Sequence, residues 1–269
     1  FFDPKLDAAA QRKAQIEREL PVAIAEGELM LLFQPRVGAI DRRIESVEAL
    51  IRWNHPTRGM CPPAEFIPIA EDSDLIVAIG TWVIEAACSQ IAAWRLAGIE
   101  HLRVAVNLSA RQIEHPQFVD KFTECLRDHD MTGQGLEIEI TESTLMRDMD
   151  GSIEKLRKLA ELGVEISIDD FGTFYSSLSY LKKLPLHTLK IDRSFIHDLN
   201  GHMNNGSTIV AGIAAMAKGL NLNVVAEGVE TRAQLEYIST LGCDAYQGYL
   251  FSRPVAAVKA TEILARQKN

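Results

Sequence analysis

Five carboxylates and one amide stand near the ends of short apolar segments spread along the chain: Glu48, Glu139, Asp169, Asp170, Glu227 and Asn107. No histidine or thiolate motif accompanies them. All-oxygen donors of this kind suit hard cations such as Mg2+ or Mn2+. Gathered in one place, the carboxylates would repel one another, and a single divalent ion would leave the group negative. Two ions come close to balance, and a pair of ions is the arrangement that clamps the attacking and leaving oxygens of a phosphodiester. Lys190 adds a cation that can orient a water or meet developing negative charge, and Arg52 offers a planar fork for a phosphate. These residue types point to metal-dependent phosphodiester hydrolysis.

Such groups meet only if their segments are neighbouring strands. Strands are predicted at 29–34, 44–52, 102–108, 135–141, 164–169, 187–192, 222–227 and 244–248. Helices are predicted over Pro4 to Glu26, then at 64–72, 74–97, 110–128, 150–162, 175–183, 206–219 and 231–241. Ser109 reads as an N-cap, and Gly98, Gly163 and Gly242 read as helix stops. Strand and helix in alternation imply an α/β fold, with a βα barrel favoured over a doubly wound open sheet. Side chains alternate across a strand, so each segment separates into two faces. Val104, Val106 and Leu108 oppose Arg103, Ala105, Asn107 and Ser109; Leu136, Ile138 and Ile140 oppose Glu137, Glu139 and Thr141. The apolar faces meet the helices and the polar faces turn inward. The inward set is then Gln34, Glu48, Arg52, Asn107, Glu139, Asp169, Lys190, Glu227 and Gln247, at the strand ends where barrel enzymes place their sites. Glu137 and Glu165, deeper on the same faces, are expected to pair with Arg103.

The chain has 269 residues, 28 basic against 37 acidic, a net charge of −9. That balance argues against binding a nucleic-acid duplex through a basic stripe. The four cysteines form no CxxC pair, which excludes a disulfide framework and a zinc knuckle and leaves reduced core thiols as the expectation. The longest apolar stretch, Leu75 to Ile84, is about half of a membrane span. No HExxH, GxSxG, Walker loop or strand-linked GxGxxG occurs. Residues 1–26 read as a helical lead-in from an upstream domain and 27–269 as the barrel. The opening Phe1-Phe2-Asp3-Pro4 reads as a piece of a longer protein, whose upstream part could anchor it to a membrane while this domain is cytoplasmic.

The words that carry these residues resemble the signature of EAL-domain cyclic di-GMP phosphodiesterases. They run in order as Glu48-Ala49-Leu50-Ile51-Arg52-Trp53, Asn107-Leu108-Ser109, Glu139-Ile140-Thr141-Glu142, Asp169-Asp170-Phe171-Gly172, Lys190-Ile191-Asp192, Ala226-Glu227-Gly228-Val229-Glu230 and Gln247-Gly248-Tyr249. The resemblance implies a modified TIM-type (β/α)8 barrel with an antiparallel first strand. It implies opening of cyclic di-GMP to linear pGpG with two Mg2+ or Mn2+. By position, Glu48, Asn107, Glu139 and Asp169 would hold one ion, and Asp169, Asp170 and Glu227 the second. Lys190 and Glu227 would handle the water, and Gln34, Leu50, Arg52 and Gln247 would contact substrate. Glu142 would anchor the loop after Asp170, a loop tied to homodimer formation. The first residues are similar to the exit of a GGDEF domain, implying a cyclase-like neighbour and a sensor upstream.

Two positions depart from the family pattern. Phe174 stands where that loop usually has glycine, and Asp74 stands where glycine precedes Leu-Ile. Asp74 is expected to cap a helix. Phe174 is the one feature favouring a degenerate receptor that binds cyclic di-GMP without cleaving it; another metal-dependent barrel hydrolase is the third reading.

Overall fold

Alternating apolar residues in the first two segments build β1 (Leu29–Gly38) and β2 (Ile44–His55), joined by a tight connection and paired antiparallel with Gln34 opposite Glu48. The remaining barrel strands are β4 (Arg103–Asn107), β5 (Leu136–Thr141), β6 (Glu165–Phe171), β7 (Thr188–Ile191), β8 (Asn223–Ala226) and β9 (Ala245–Tyr246). Each lies parallel to its neighbour from β2 through β9, and β9 returns antiparallel to β1. The sheet therefore closes on eight strands with β1 antiparallel to both neighbours. This is the modified TIM-type (β/α)8 barrel that the sequence implied. The computed structural model describes residues 4–145, 148–172, 181–199 and 205–268. Phe174 and most of the helix expected at 175–183 lie outside them.

Two short strands escaped the sequence reading, β3 (Gly59–Cys61) on β2 and β10 (Val255–Ala256) on β1. Helices α1 (Pro4–Ala25), α2 (Pro63–Glu71) and α3 (Leu75–Leu96) match their predicted segments within two residues. The segment expected as one helix at 110–128 is two, α4 (Ala110–Glu114) and α5 (Phe118–Asp128). Pro116 explains the break, because it forces the preceding His115 into an extended conformation, φ −59° and ψ 130°. Further on come α6 (Glu142–Leu145), α7 (Met149–Glu161), α8 (Arg193–His197), α9 (Asn205–Gly219), α10 (Arg232–Thr240) and α11 (Ala257–Ala265). Ser109 caps α4 by accepting from the Gln112 backbone N–H, and Gln112 returns the bond to complete a capping box. Asp74 does not cap α3 with its side chain; its Oδ1 accepts from Arg111 at 3.3 Å instead.

The core lies between barrel and helices, where Val104, Val106, Ile138, Ile140, Ile166 and Ile168 are all buried. Ile16, Leu20 and Ala23 of α1 join it. By length and composition α3 could cross a membrane. Here it is a packed layer, with Ile76, Ile79, Val83, Ala87, Ile91 and Trp94 buried along one face. The apolar half of every strand faces helices, which leaves the polar half to line the barrel.

Candidate active site

At the C-terminal mouth the inward groups converge on Lys190, which is completely buried in β7. Its Nζ donates to Glu139 Oε2 at 2.7 Å and lies 2.6 Å from Glu227 Oε1, 3.0 Å from Asp169 Oδ2 and 3.9 Å from Glu48 Oε2. Glu48 comes from β2, Glu139 from β5 and Asp169 from β6, so three strands aim one carboxylate each at the same ammonium. Glu227 follows β8, where its backbone N–H donates to Ile191 O at 3.1 Å. Gly228, at φ +67°, then turns the chain, and a Cβ there would lie 2.6 Å from Arg193 Cβ.

Asp170 reaches the group by a different route. Consecutive strand residues point to opposite faces, yet the Asp169, Asp170 and Glu227 oxygens all lie within 4.8 Å of one another. The reason is a break in register between Ile168 and Phe171, with Asp170 in the left-handed region at φ 52°. A bulge of this kind re-aims one side chain next to a site. Asp170 hydrogen-bonds Asp192, which also caps α8 by accepting from the Ser194 backbone N–H at 3.0 Å.

Arg36 is a second buried cation, one the sequence analysis did not single out. It occupies β1 two residues beyond Gln34 on the same face, so strand parity carried the signal. Its NH1 donates to Glu137 Oε1 at 2.8 Å, its NH2 contacts Glu139 Oε1, and its Nε donates to Gln247 Oε1 at 3.1 Å. Glu137 therefore pairs with Arg36, whereas the expected partner Arg103 bonds Glu165 at 2.5 Å. The expected pairing of both carboxylates with Arg103 thus holds for Glu165 alone, since Arg36 lies closer to Glu137 in the barrel. Removing Arg36 as Met would strand two buried carboxylates, and a loss of about 3–5 kcal/mol is expected. Urea unfolding in chelator measures it; a loss below about 1 kcal/mol would show that Arg36 does not hold these carboxylates in place.

The polar rim is bonded to itself. Gln247 Nε2 donates to Gln34 Oε1 at 3.0 Å and to Glu48 Oε2 at 2.5 Å, and Gln34 Nε2 donates to Ser252 O at 3.0 Å. Asn107 donates through Nδ2 to Glu48 Oε1 at 2.8 Å, leaving Oδ1 as the acceptor a hard cation would take. Gln34, Glu48, Leu50, Asp169, Asp170, Glu227 and Gln247 border a cavity of about 360 Å3, together with Asp192, Arg193 and Tyr249. Leu50 and Asn107 also border a neighbouring cleft of about 630 Å3. Arg52 lies half-buried beside them, donating through NH1 to Ile51 O at 2.8 Å. Glu142 is set apart from the carboxylate group; its Oε1 accepts from the Gly172 backbone N–H at 3.4 Å, at the start of the loop after β6.

Charge explains what the arrangement needs. Glu48, Glu137, Glu139, Asp169, Asp170 and Glu227 share the barrel mouth with Arg36 and Lys190, six carboxylates against two cations. Burial would raise the Glu48 carboxyl, but Lys190 and Arg36 hold it below its ordinary value. Burial, with Asp169 and Glu48 close by, pushes Glu227 up to about 8 despite Lys190. Burial and Asp169 likewise lift Asp170 to about 6. Lys190 is raised despite its burial, because Asp169, Glu227 and Glu48 surround it. Crowding thus disfavours full ionisation of these carboxyls, and such oxygen-only donors fit hard divalent ions.

The family model for the EAL domain matches residues 17–254. The chain belongs to the EAL domain family. This EAL domain is 46% identical over 257 residues to the bifunctional diguanylate cyclase/cyclic di-GMP phosphodiesterase MucR of Pseudomonas aeruginosa, covering 96% of this chain and 37% of that protein. It is 43% identical over 264 residues to the cyclic di-GMP phosphodiesterase NbdA of the same organism, covering 98% of this chain and 34% of that one. The EAL domain thus spans about a third of the length of these curated relatives. Among solved structures, the PaMucR phosphodiesterase in complex with c-di-GMP superposes with a TM-score of 0.87 at 46% identity, over 91% of this chain and 99% of that one. The EAL enzyme Bd1971, in its cAMP- and cyclic-di-GMP-bound form, gives a TM-score of 0.89 at 34% identity, over 95% of this chain and 69% of that chain.

Proposed function

We propose that this EAL domain hydrolyses one phosphodiester bond of cyclic di-GMP to give linear pGpG, using two Mg2+ or Mn2+ ions. The observation that carries the reading is the group of six carboxylates gathered around Lys190 and Arg36, whose excess of four negative charges, once all are ionised, two divalent ions would balance. Glu48, Asn107, Glu139 and Asp169 would hold one ion, and Asp169, Asp170 and Glu227 the other. When bound, such ions neutralise the phosphate and acidify a water.

The chain's own groups do the rest. Lys190 is fixed by its carboxylates, so its ammonium can orient a water and meet charge developing on phosphate without rearranging. Glu227, 2.6 Å from the Lys190 ammonium, would share that water and, once ionised, accept its proton. Gln34, Leu50, Arg52 and Gln247 contact the nucleotide, which requires Gln34 and Gln247 to loosen their mutual hydrogen bond. Glu142, through Gly172, positions the loop that follows Asp170. No ligand of the proposed ions is missing from the chain, which favours an enzyme over a receptor that only binds.

In the full-length protein we expect GGDEF-like and sensor domains upstream of residue 27, a homodimer of EAL domains, and a cytoplasmic location that suits its four free buried cysteines. Metal dependence tests the reading. Turnover of cyclic di-GMP should vanish in chelator and return with Mg2+ or Mn2+ but not with Ca2+. Turnover unaffected by chelator would overturn it.

A further inference from the structure

On the outer helical layer, away from the barrel mouth, two cysteines and a histidine form a compact group. Cys88 of α3 and Cys125 of α5 are both buried, and their Sγ atoms lie 3.8 Å apart. His129, at the C-terminal cap of α5, presents Nδ1 at 3.9 Å from Cys125 Sγ. Ligand atoms from all three residues fall within 4.8 Å of one another. Cys125 and His129 are four residues apart, so α5 places both on one face toward α3.

We propose that Cys88, Cys125 and His129 form a binding site for a thiophilic transition-metal ion, with Zn2+ as the typical occupant, separate from the carboxylate site. The geometry is the first argument. Tetrahedral zinc with bonds of about 2.3 Å to sulfur and 2.0–2.1 Å to nitrogen sets sulfur–sulfur spacing near 3.8 Å and sulfur–nitrogen spacing near 3.6 Å. The protein already holds its sulfurs at that spacing and the His129 Nδ1 within a few tenths of an ångström of it from Cys125, with all three ligand atoms inside 4.8 Å.

The surroundings supply the second argument. Ser89 Oγ lies 3.0 Å from His129 Nε2 and can accept its proton, which leaves Nδ1 for the metal. Nδ1 also lies 2.9 Å from Cys125 O, a hydrogen bond that a coordinate bond would replace. A cavity of about 460 Å3 reaches Cys125 and His129 from outside and is bordered also by Glu85 and Asp128. It gives the ion a way in and room for a water as the fourth ligand. The mutual hydrogen bond of the two cysteines draws the Cys125 thiol below its ordinary value and, with burial, pushes the Cys88 thiol up, so Cys125 is the first to ionise. Metal binding releases the thiol protons as the thiolates form. Such a group is invisible to CxxC spacing, because its ligands come from two separate helices.

The test is cobalt substitution in the whole chain, reduced, stripped with chelator and held in excess Mg2+ to occupy the carboxylates. One equivalent of Co2+ should produce a near-ultraviolet thiolate-to-cobalt charge-transfer band with tetrahedral visible absorption, and one equivalent of Zn2+ should abolish both. The band should vanish in Cys88→Ser and in Cys125→Ser, weaken in His129→Ala, and persist in Cys243→Ser. Circular dichroism checks that each variant folds. X-ray absorption of the Zn2+-loaded wild-type chain, independent of any variant, should find two sulfur neighbours at about 2.3 Å. No charge-transfer band, a band that survives Cys125→Ser, or a zinc shell without sulfur would each overturn the proposal.

Discussion

Lys190→Met is expected to lower kcat by about 10²–10⁴-fold while leaving Mg2+ affinity unchanged or tighter. The two effects separate because of where the ammonium lies. It is buried among Glu48, Glu139, Asp169 and Glu227, so it competes with divalent ions for the carboxylates that would hold them. Removing it frees those oxygens for metal but takes away the group that faces the water and the phosphate. Stability should respond in the opposite sense to activity. Without metal, the variant loses the cation that offsets several buried carboxylates, a cost of about 3–5 kcal/mol. Added Mg2+ should restore most of that loss without restoring turnover. Isothermal titration with Mg2+, urea unfolding with and without Mg2+, and steady-state kinetics read the three quantities. Turnover and metal affinity falling in proportion would make Lys190 a structural residue.

Asp170→Asn offers a cleaner removal of one charge than any other ligand. At φ 52° most side chains are strained, but asparagine and aspartate both tolerate the left-handed region. The bulge in β6 should therefore survive, and unfolding in chelator should change by less than about 1 kcal/mol, the usual range for a conservative change. Activity should nevertheless fall by at least about 10²-fold, with a raised Mg2+ requirement, because one carboxylate of the Asp169, Asp170 and Glu227 group is gone. Asp170→Ala should lose the same activity and also about 1–3 kcal/mol of stability, since alanine is strained there. Full turnover by Asp170→Asn at low Mg2+ would remove Asp170 from the metal site.

Strand alternation made most of the site legible in the sequence. Glu48, Asn107, Glu139, Asp169 and Lys190 stand out because a barrel strand must turn its apolar face to the helices, leaving charges on the other. The same rule extends to Arg36, but the predicted strand stopped at residue 34 while β1 runs on to Gly38, so Arg36 fell outside it. Asp170 could not be reached by alternation at all, since its direction depends on a bulge; its place beside Asp169 at a segment end singled it out. Strand direction was equally invisible to alternation, which reads the same both ways, so the antiparallel β1 came from the resemblance. The break at His115 was available from Pro116, and the long apolar pattern on either side obscured it. β3 and β10 span three and two residues, too short for any periodicity.

The balance of 28 basic and 37 acidic residues takes its meaning from the barrel mouth, where charge is concentrated around one buried lysine. The central claim is that this concentration serves hydrolysis of a cyclic dinucleotide and not its binding alone. The most direct measurement is chromatographic: the purified chain, cyclic di-GMP and Mg2+, followed through time. Accumulation of linear pGpG as the first and main product, absent in chelator, is the predicted result. Cyclic di-GMP that remains intact while bound to the folded chain would contradict it.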